Sequence, residues 1–115
     1  MSVPDEVLQY AEGKRVVAWF VLDPGPAPDH PTILWATSSA MGLPYDFDAL
    51  RVFVWATRHK RYETGYVEHN ARGNYPIQVF HNPPGFIVTT QNKQGVLTPH
   101  KFVLDANRVR RAPVL

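Results

Sequence analysis

The sequence predicts an all-β fold, a small barrel or sandwich of short antiparallel strands behind a brief N-terminal helix. Three observations predict it. Runs rich in valine and aromatic residues recur along the chain. Clusters of Pro, Gly, Asn and Asp interrupt them about every eight to twelve residues. Helix signals are confined to the first fourteen positions, so residues 1–14 read as a helical lead-in and 15–115 as a single β-domain.

The elements follow in order. "SVPDEVLQYAEG" predicts a short helix with Ser2 as cap, Pro4 and the acids Asp5 and Glu6 in its first turn, and Gly13 as its stop. Val7, Leu8 and Tyr10 give it an apolar side. "RVVAWFVLD" (15–23) is almost continuously apolar, the pattern of a strand buried on both faces. "PGPAPDHP" (24–31) holds four prolines in eight residues and reads as an exposed loop, because proline offers no N–H to a ladder. "TILWATSS" (32–39) is the return strand and "AMGLPYDFD" (40–48) a loop. "ALRVFVWAT" (49–57) and "RYETGYVEH" (61–69) form a hairpin. "NARGNYP" (70–76) is a turn region, "IQVFH" (77–81) a strand and "NPPG" (82–85) a turn. "FIVTTQNKQGVLT" (86–98) is a hairpin around Asn92 to Gly95, with Gly95 suited to a left-handed turn position. "KFVLDANRVRRAPV" (101–114) supplies one or two final strands.

Composition narrows the function classes. With 115 residues, 44% apolar and 19% charged, the chain is about the size of one ordinary globular domain. It has no cysteine, which excludes disulfides, thiolate catalysis and cysteine-ligated metal while leaving the redox compartment open. "MSVPDEVLQYAEGK" lacks the charged-then-apolar layout of a signal peptide, and no apolar run approaches the ~18 residues of a membrane span. Charge is divided unevenly. Residues 1–48 hold Lys14 and Arg15 against seven acids, while residues 49–115 hold ten Lys and Arg against Glu63, Glu68 and Asp105. Either the basic half meets an anionic partner, or the halves neutralise each other in the fold.

The hairpin "VFVWATRHKRYETGYVE" (52–68) has the strongest pattern. A four-residue tip at Arg58 to Arg61 pairs Thr57 with Tyr62, Trp55 with Thr64 and Phe53 with Tyr66. Alternation then puts Phe53, Trp55, Thr57, Tyr62, Thr64 and Tyr66 on one face and Val52, Val54, Ala56, Glu63, Gly65 and Val67 on the other. The small, β-branched face is the expected core. The aromatic face is either a second core or a surface that opens near Tyr62.

The run from Trp55 to "GNYPIQVF" (73–80) resembles the second half of an SH3 domain. There a Trp-bearing strand turns through a polar hairpin and leads to a Gly-x-hydrophobic-Pro segment, here Gly73-Asn74-Tyr75-Pro76. The "VFVW…RYET.Y" hairpin is similar to SH3-like modules of uncharacterised bacterial proteins. The resemblance covers about thirty residues, and no Ala-Leu-Tyr-Asp-Tyr stretch accompanies it. It implies an SH3-like barrel of about six to eight short antiparallel strands acting as a binding module, and it carries Trp55 and Pro76 over as groove positions.

Catalytic and metal signals are weak. The five histidines, His30, His59, His69, His81 and His100, show no metal-ligand spacing, although His69 and His81 could meet across neighbouring strands. Asp46 and Asp48 in "YDFD" read as turn-capping loop residues rather than an acid–base pair. No nucleophile or phosphate-loop motif occurs. The expectation is a non-catalytic binding or structural module without a cofactor. Its ligand would be a protein, peptide or cell-envelope polymer, met by Trp55, Tyr62, Tyr66 and Pro76 together with Tyr45 and Tyr75. The alternatives are a nucleic-acid surface built from Arg58, Lys60 and Arg61 at the tip with Arg108, Arg110 and Arg111 in the tail, and a self-associating β-domain.

Overall fold

A computed structural model describes residues 4–24 and 29–114. The expected cap at Ser2 and the middle of the proline-rich loop lie outside the described residues. Helix α1 (Asp5–Leu8) continues into a 3-10 turn (Gln9–Ala11) and ends where Glu12 and Gly13 take positive φ. Val7 is fully buried, but Leu8 is exposed rather than part of the apolar side. No helix among the described residues is long and apolar enough to cross a membrane.

Eight strands follow: β1 (Arg15–Asp23), β2 (Thr32–Ser38), β3 (Ala49–Ala56), β4 (Arg61–Glu68), β5 (Gly73–His81), β6 (Pro84–Gln91), β7 (Leu97–Asp105) and β8 (Arg108–Ala112). Within each of two four-stranded sheets, in the orders β1-β2-β3-β4 and β5-β6-β7-β8, strands consecutive in sequence pair antiparallel, and β4 and β5 do not pair. The all-β expectation holds. The sheets do not close into a barrel; they face each other, with β1 against β5 and β6 and β4 against β8.

Between the sheets lies the larger core. The first sheet supplies Leu22, Leu34, Ala36, Leu50, Val52 and Val54, and the second Ile77, Phe86, Val88 and Phe102, with Phe47 from the 40–48 loop. Phe86 and Phe102 stack with centroids 4.9 Å apart. A second core covers the opposite face of the first sheet. There Ile33, Trp35, Phe53 and Tyr62 lie beneath Val7, with Tyr10 and Ala11 packed alongside. The first sheet is thus apolar on both faces because the N-terminal turn roofs its outer side.

Several sequence expectations need correction. The strand buried on both faces is β2, all seven residues of which are buried, and not β1. β1 is an edge strand, mostly half-buried, with only Leu22 fully enclosed. The 70–76 turn is shorter than expected, because β5 already begins at Gly73. There the bridge between Phe47 and Gly73 ties the 40–48 loop to the second sheet. A Cβ on Gly73 would sit 2.0 Å from the Phe47 ring, so only glycine admits that ring.

The 52–68 hairpin is also registered differently. Its tip is Thr57 to Lys60, closed by Lys60 N donating to Ala56 O at 2.7 Å, so Ala56 pairs with Arg61 and Trp55 with Tyr62. Beyond Thr64 the ladder shifts, with Phe53 opposite Thr64 and Val52 opposite Tyr66. Gly65 is the extra residue of a β-bulge, and a one-residue insertion reverses the face of everything after it. Tyr66 therefore leaves the expected aromatic face and enters the inter-sheet core, 5.2 Å from the Phe102 ring.

Candidate ligand cleft

The expected aromatic surface is divided among four places. Trp55 is half-buried near the hairpin tip, stacked on His30 at 3.6 Å and edge-on to Tyr62 at 5.3 Å. Tyr62 is not a surface residue. It is 2% exposed, its hydroxyl donates to Pro31 O at 2.8 Å, and its N–H donates to Glu6 Oε2. Burial, then the nearby Glu6 carboxylate, pushes its phenol up to about 12. Tyr66 points between the sheets. Tyr75 and Pro76 are exposed on β5, in the other sheet, with the Tyr75 hydroxyl donating to Val17 O at 3.3 Å. Tyr45 lies under the Arg72 guanidinium, 4.9 Å from its ring centre. Trp55 and Pro76 therefore line no common groove.

The basic residues are also unequal. At the tip, Glu63 accepts from His59 at 2.9 Å and pairs with Arg61 at 3.3 Å, and the His59 hydrogen bond leads the effects that hold its carboxyl below the usual range. Arg110 pairs with Asp105 at 3.5 Å. Arg58, Lys60 and Arg108 are exposed and make no ion pair among the described residues.

The remaining histidines and acids separate. His69 lies where the chain leaves β4, whereas His81 ends β5 and contacts Leu22 O at 3.1 Å, so the two do not meet. Asp46 accepts from Tyr75 N at 2.7 Å, and Asp48 accepts from Ser39 N and from the Ser39 hydroxyl. These acids fasten the loop to its neighbours. No three His, Asp or Glu side chains among the described residues form a metal-holding group.

Polar groups converge instead at the end of the sandwich where residues 69–72 cross from β4 to β5. On the inner face of the second sheet, alternation places Phe86, Val88 and Thr90 along β6, Phe102 and His100 along β7, and Val109 and Arg111 along β8. Each strand runs from apolar to polar toward this end. The apolar core therefore opens into a cleft of about 420 Å³ lined by Glu68, Arg72, Thr90, Gln91, His100 and Arg111, among others.

A continuous network orders that lining. Tyr66 donates its hydroxyl to Glu68 Oε1 at 2.8 Å, and burial together with this carboxylate pushes the phenol up to about 12. Glu68 Oε1 faces Arg111 Nη2 at 3.8 Å, an ion pair longer than a hydrogen bond. The Arg111 guanidinium lies over Phe102, 5.2 Å from its ring centre, with Nη1 3.2 Å from His100 Nδ1. Arginine has no acceptor, so His100 Nδ1 accepts, and its Nε2–H donates to Thr90 Oγ1 at 2.8 Å. In the same lining, Arg72 rests on Tyr45, and its buried Nε has no hydrogen-bond partner among the described residues. Gln91 is held by Asn74 and by Pro44 O.

Sequence reading placed Arg111 on a nucleic-acid surface and Tyr66 on an aromatic one. It missed Glu68, Arg72, Thr90 and His100 as a group. One signal was present: in "VTTQ" and "PHKF" polar residues fall on the core parity of strands that otherwise bury Phe and Val. No family model, curated protein or solved structure matches the chain.

Proposed function

We propose that this chain is a non-catalytic binding module whose ligand enters the polar cleft at the end of the sandwich. One observation carries the reading. The inter-sheet face turns from phenylalanine and valine to Thr90, His100 and Arg111, and those side chains are held by one another and not by bulk water alone. The cleft is open and lined mainly by polar and charged side chains, so it suits a polar or charged group rather than an apolar one. The expected ligand class, a protein, peptide or cell-envelope polymer, suits an open cleft, because a chain end or side group enters while the rest stays outside.

Amide shifts of the labelled protein, followed against a panel of carboxylates, phosphate, amines and neutral sugars, test the proposal. The shifts are expected to gather at residues 68–72, 90–91, 100 and 111. A panel that moves only residues near Trp55 and Tyr75, or moves nothing, defeats it.

A second reading rests on Arg58 and Lys60 at the hairpin tip and Arg108 at the start of β8, which are exposed and make no ion pair among the described residues. Such cations suit a nucleic-acid backbone. Binding of a labelled single strand would then weaken steeply with added salt, and a salt-independent signal would remove this reading.

A further inference from the structure

Resting on the cleft reading above, we infer that the group the cleft receives is a carboxylate, taken by the Arg111 guanidinium with Arg72 supplying a second positive charge.

Charge balance comes first. Arg72 and Arg111 contribute two positive charges to the lining, and Glu68 removes one. A monoanion closes that balance. A dianion would stand in excess beside the Glu68 carboxylate.

Geometry points the same way. The Arg111 guanidinium lies 5.2 Å from the Phe102 ring centre and its Nη1 meets His100, so two contacts orient it before any ligand arrives. Its Nη2 faces Glu68 at 3.8 Å, too far for a hydrogen bond, and is therefore available to a closer oxygen. A planar carboxylate matches a planar guanidinium with two parallel hydrogen bonds. Arg72, which lines the same cleft, adds a second cation.

The carboxylate could belong to a peptide end or to an acidic sugar, and the test separates them. Near neutral pH the labelled protein is titrated with N-acetylglycine, glucuronate and inorganic phosphate, and with the uncharged partners N-acetylglycinamide and glucose. One or both carboxylates should shift the amides of Glu68, His100 and Arg111, and the tighter of the two identifies the source. Their uncharged partners should not. Arg111→Gln should weaken the carboxylate by about ten- to a hundredfold, as loss of a charge-assisted pair does. Arg111→Lys should recover only part, because the charge returns without the fork. Arg111 is largely exposed, so both variants should keep the dispersed spectrum of the folded chain.

Tighter binding of phosphate than of either carboxylate overturns the inference, as does cleft binding of glucose with no carboxylate response. Both leave the cleft as the binding site. Equal carboxylate affinity in Arg111→Gln also overturns it. If no probe in this set or in the wider panel moves the cleft, the inference and the cleft reading fall together.

Discussion

The two sheets are built alike, as four-stranded meanders, yet they bury their faces differently. In the first, β2 has seven consecutive buried residues, because the second sheet covers one side and the N-terminal turn the other. In the second, β7 alternates from Phe102 and Leu104 inward to Lys101 and Val103 outward, and its outer side has no such roof among the described residues. Lys101 instead lies over Phe80, 5.3 Å from the ring centre, covering apolar surface with its own stem. The sheet with the richer aromatic face is therefore the one that spends it on stability, and recognition is left to the end where the sheets part.

Replacing a large residue on each sheet is the strongest way to break this comparison. Trp35→Ala removes a side chain that is 2% exposed beneath the N-terminal turn, and should cost about 3–5 kcal/mol in urea unfolding. Val103→Ala, half-buried on the outer face of the second sheet, should cost about 1 kcal/mol or less. Similar losses at the two positions would mean that the roof contributes little.

The seam between the sheets should be nearly as sensitive. Gly73→Ala drives a methyl group into the fully buried Phe47 ring. Overpacking of this kind costs about 1–3 kcal/mol, occasionally more. The double variant Gly73→Ala with Phe47→Leu should lose less than the two single changes added together, since both act on one contact. Additive losses would show that the ring and the glycine do not oppose each other.

Much of this architecture was legible in the sequence, and the parts that were not have physical causes. Strand positions follow from valine-rich runs and turn residues, since both depend on local backbone preference. That a Val-rich run such as 15–23 becomes an edge strand is a matter of sheet order, which alternation does not encode. The register of the 52–68 hairpin already differed at its tip, and its faces failed at Gly65, because a bulge and an ordinary strand glycine look the same in a sequence. That single insertion moved Tyr66 from an imagined binding face into the core and placed Glu68 beside Arg111. The cleft was hidden for a further reason. Its residues come from four strands and a crossover, and only the pairing of the sheets brings them together.

A smaller effect should come from one hydroxyl of the roofed face. Tyr62→Phe keeps the ring packed on Trp55 but leaves Pro31 O without its donor, for a loss of about 1 kcal/mol. An unchanged midpoint would mean that water replaces the donor and that this corner of the face is open. The indole N–H of Trp35 should likewise exchange slowly, with that of half-buried Trp55 faster.

The last effect is absent at neutral pH and compares Tyr62 under the roof with Tyr66 between the sheets. Both phenols sit at about 12 in the folded chain, against an ordinary value of 10.0, so the folded state keeps their protons longer than the unfolded one. Their contribution to stability is therefore complete below pH 10 and is lost as pH rises from 10 toward 12. Tyrosinate absorbance should show these two phenols ionising late, close to the point where the fold gives way. Tyr66→Phe removes the hydroxyl that also donates to Glu68, so it should both flatten this alkaline loss and loosen the cleft network. Tyr62→Phe should flatten it and leave the amides of His100 and Arg111 where they were. If the two substitutions moved those amides equally, the outer core and the cleft would be one coupled unit rather than the separate regions that the two faces of the first sheet define.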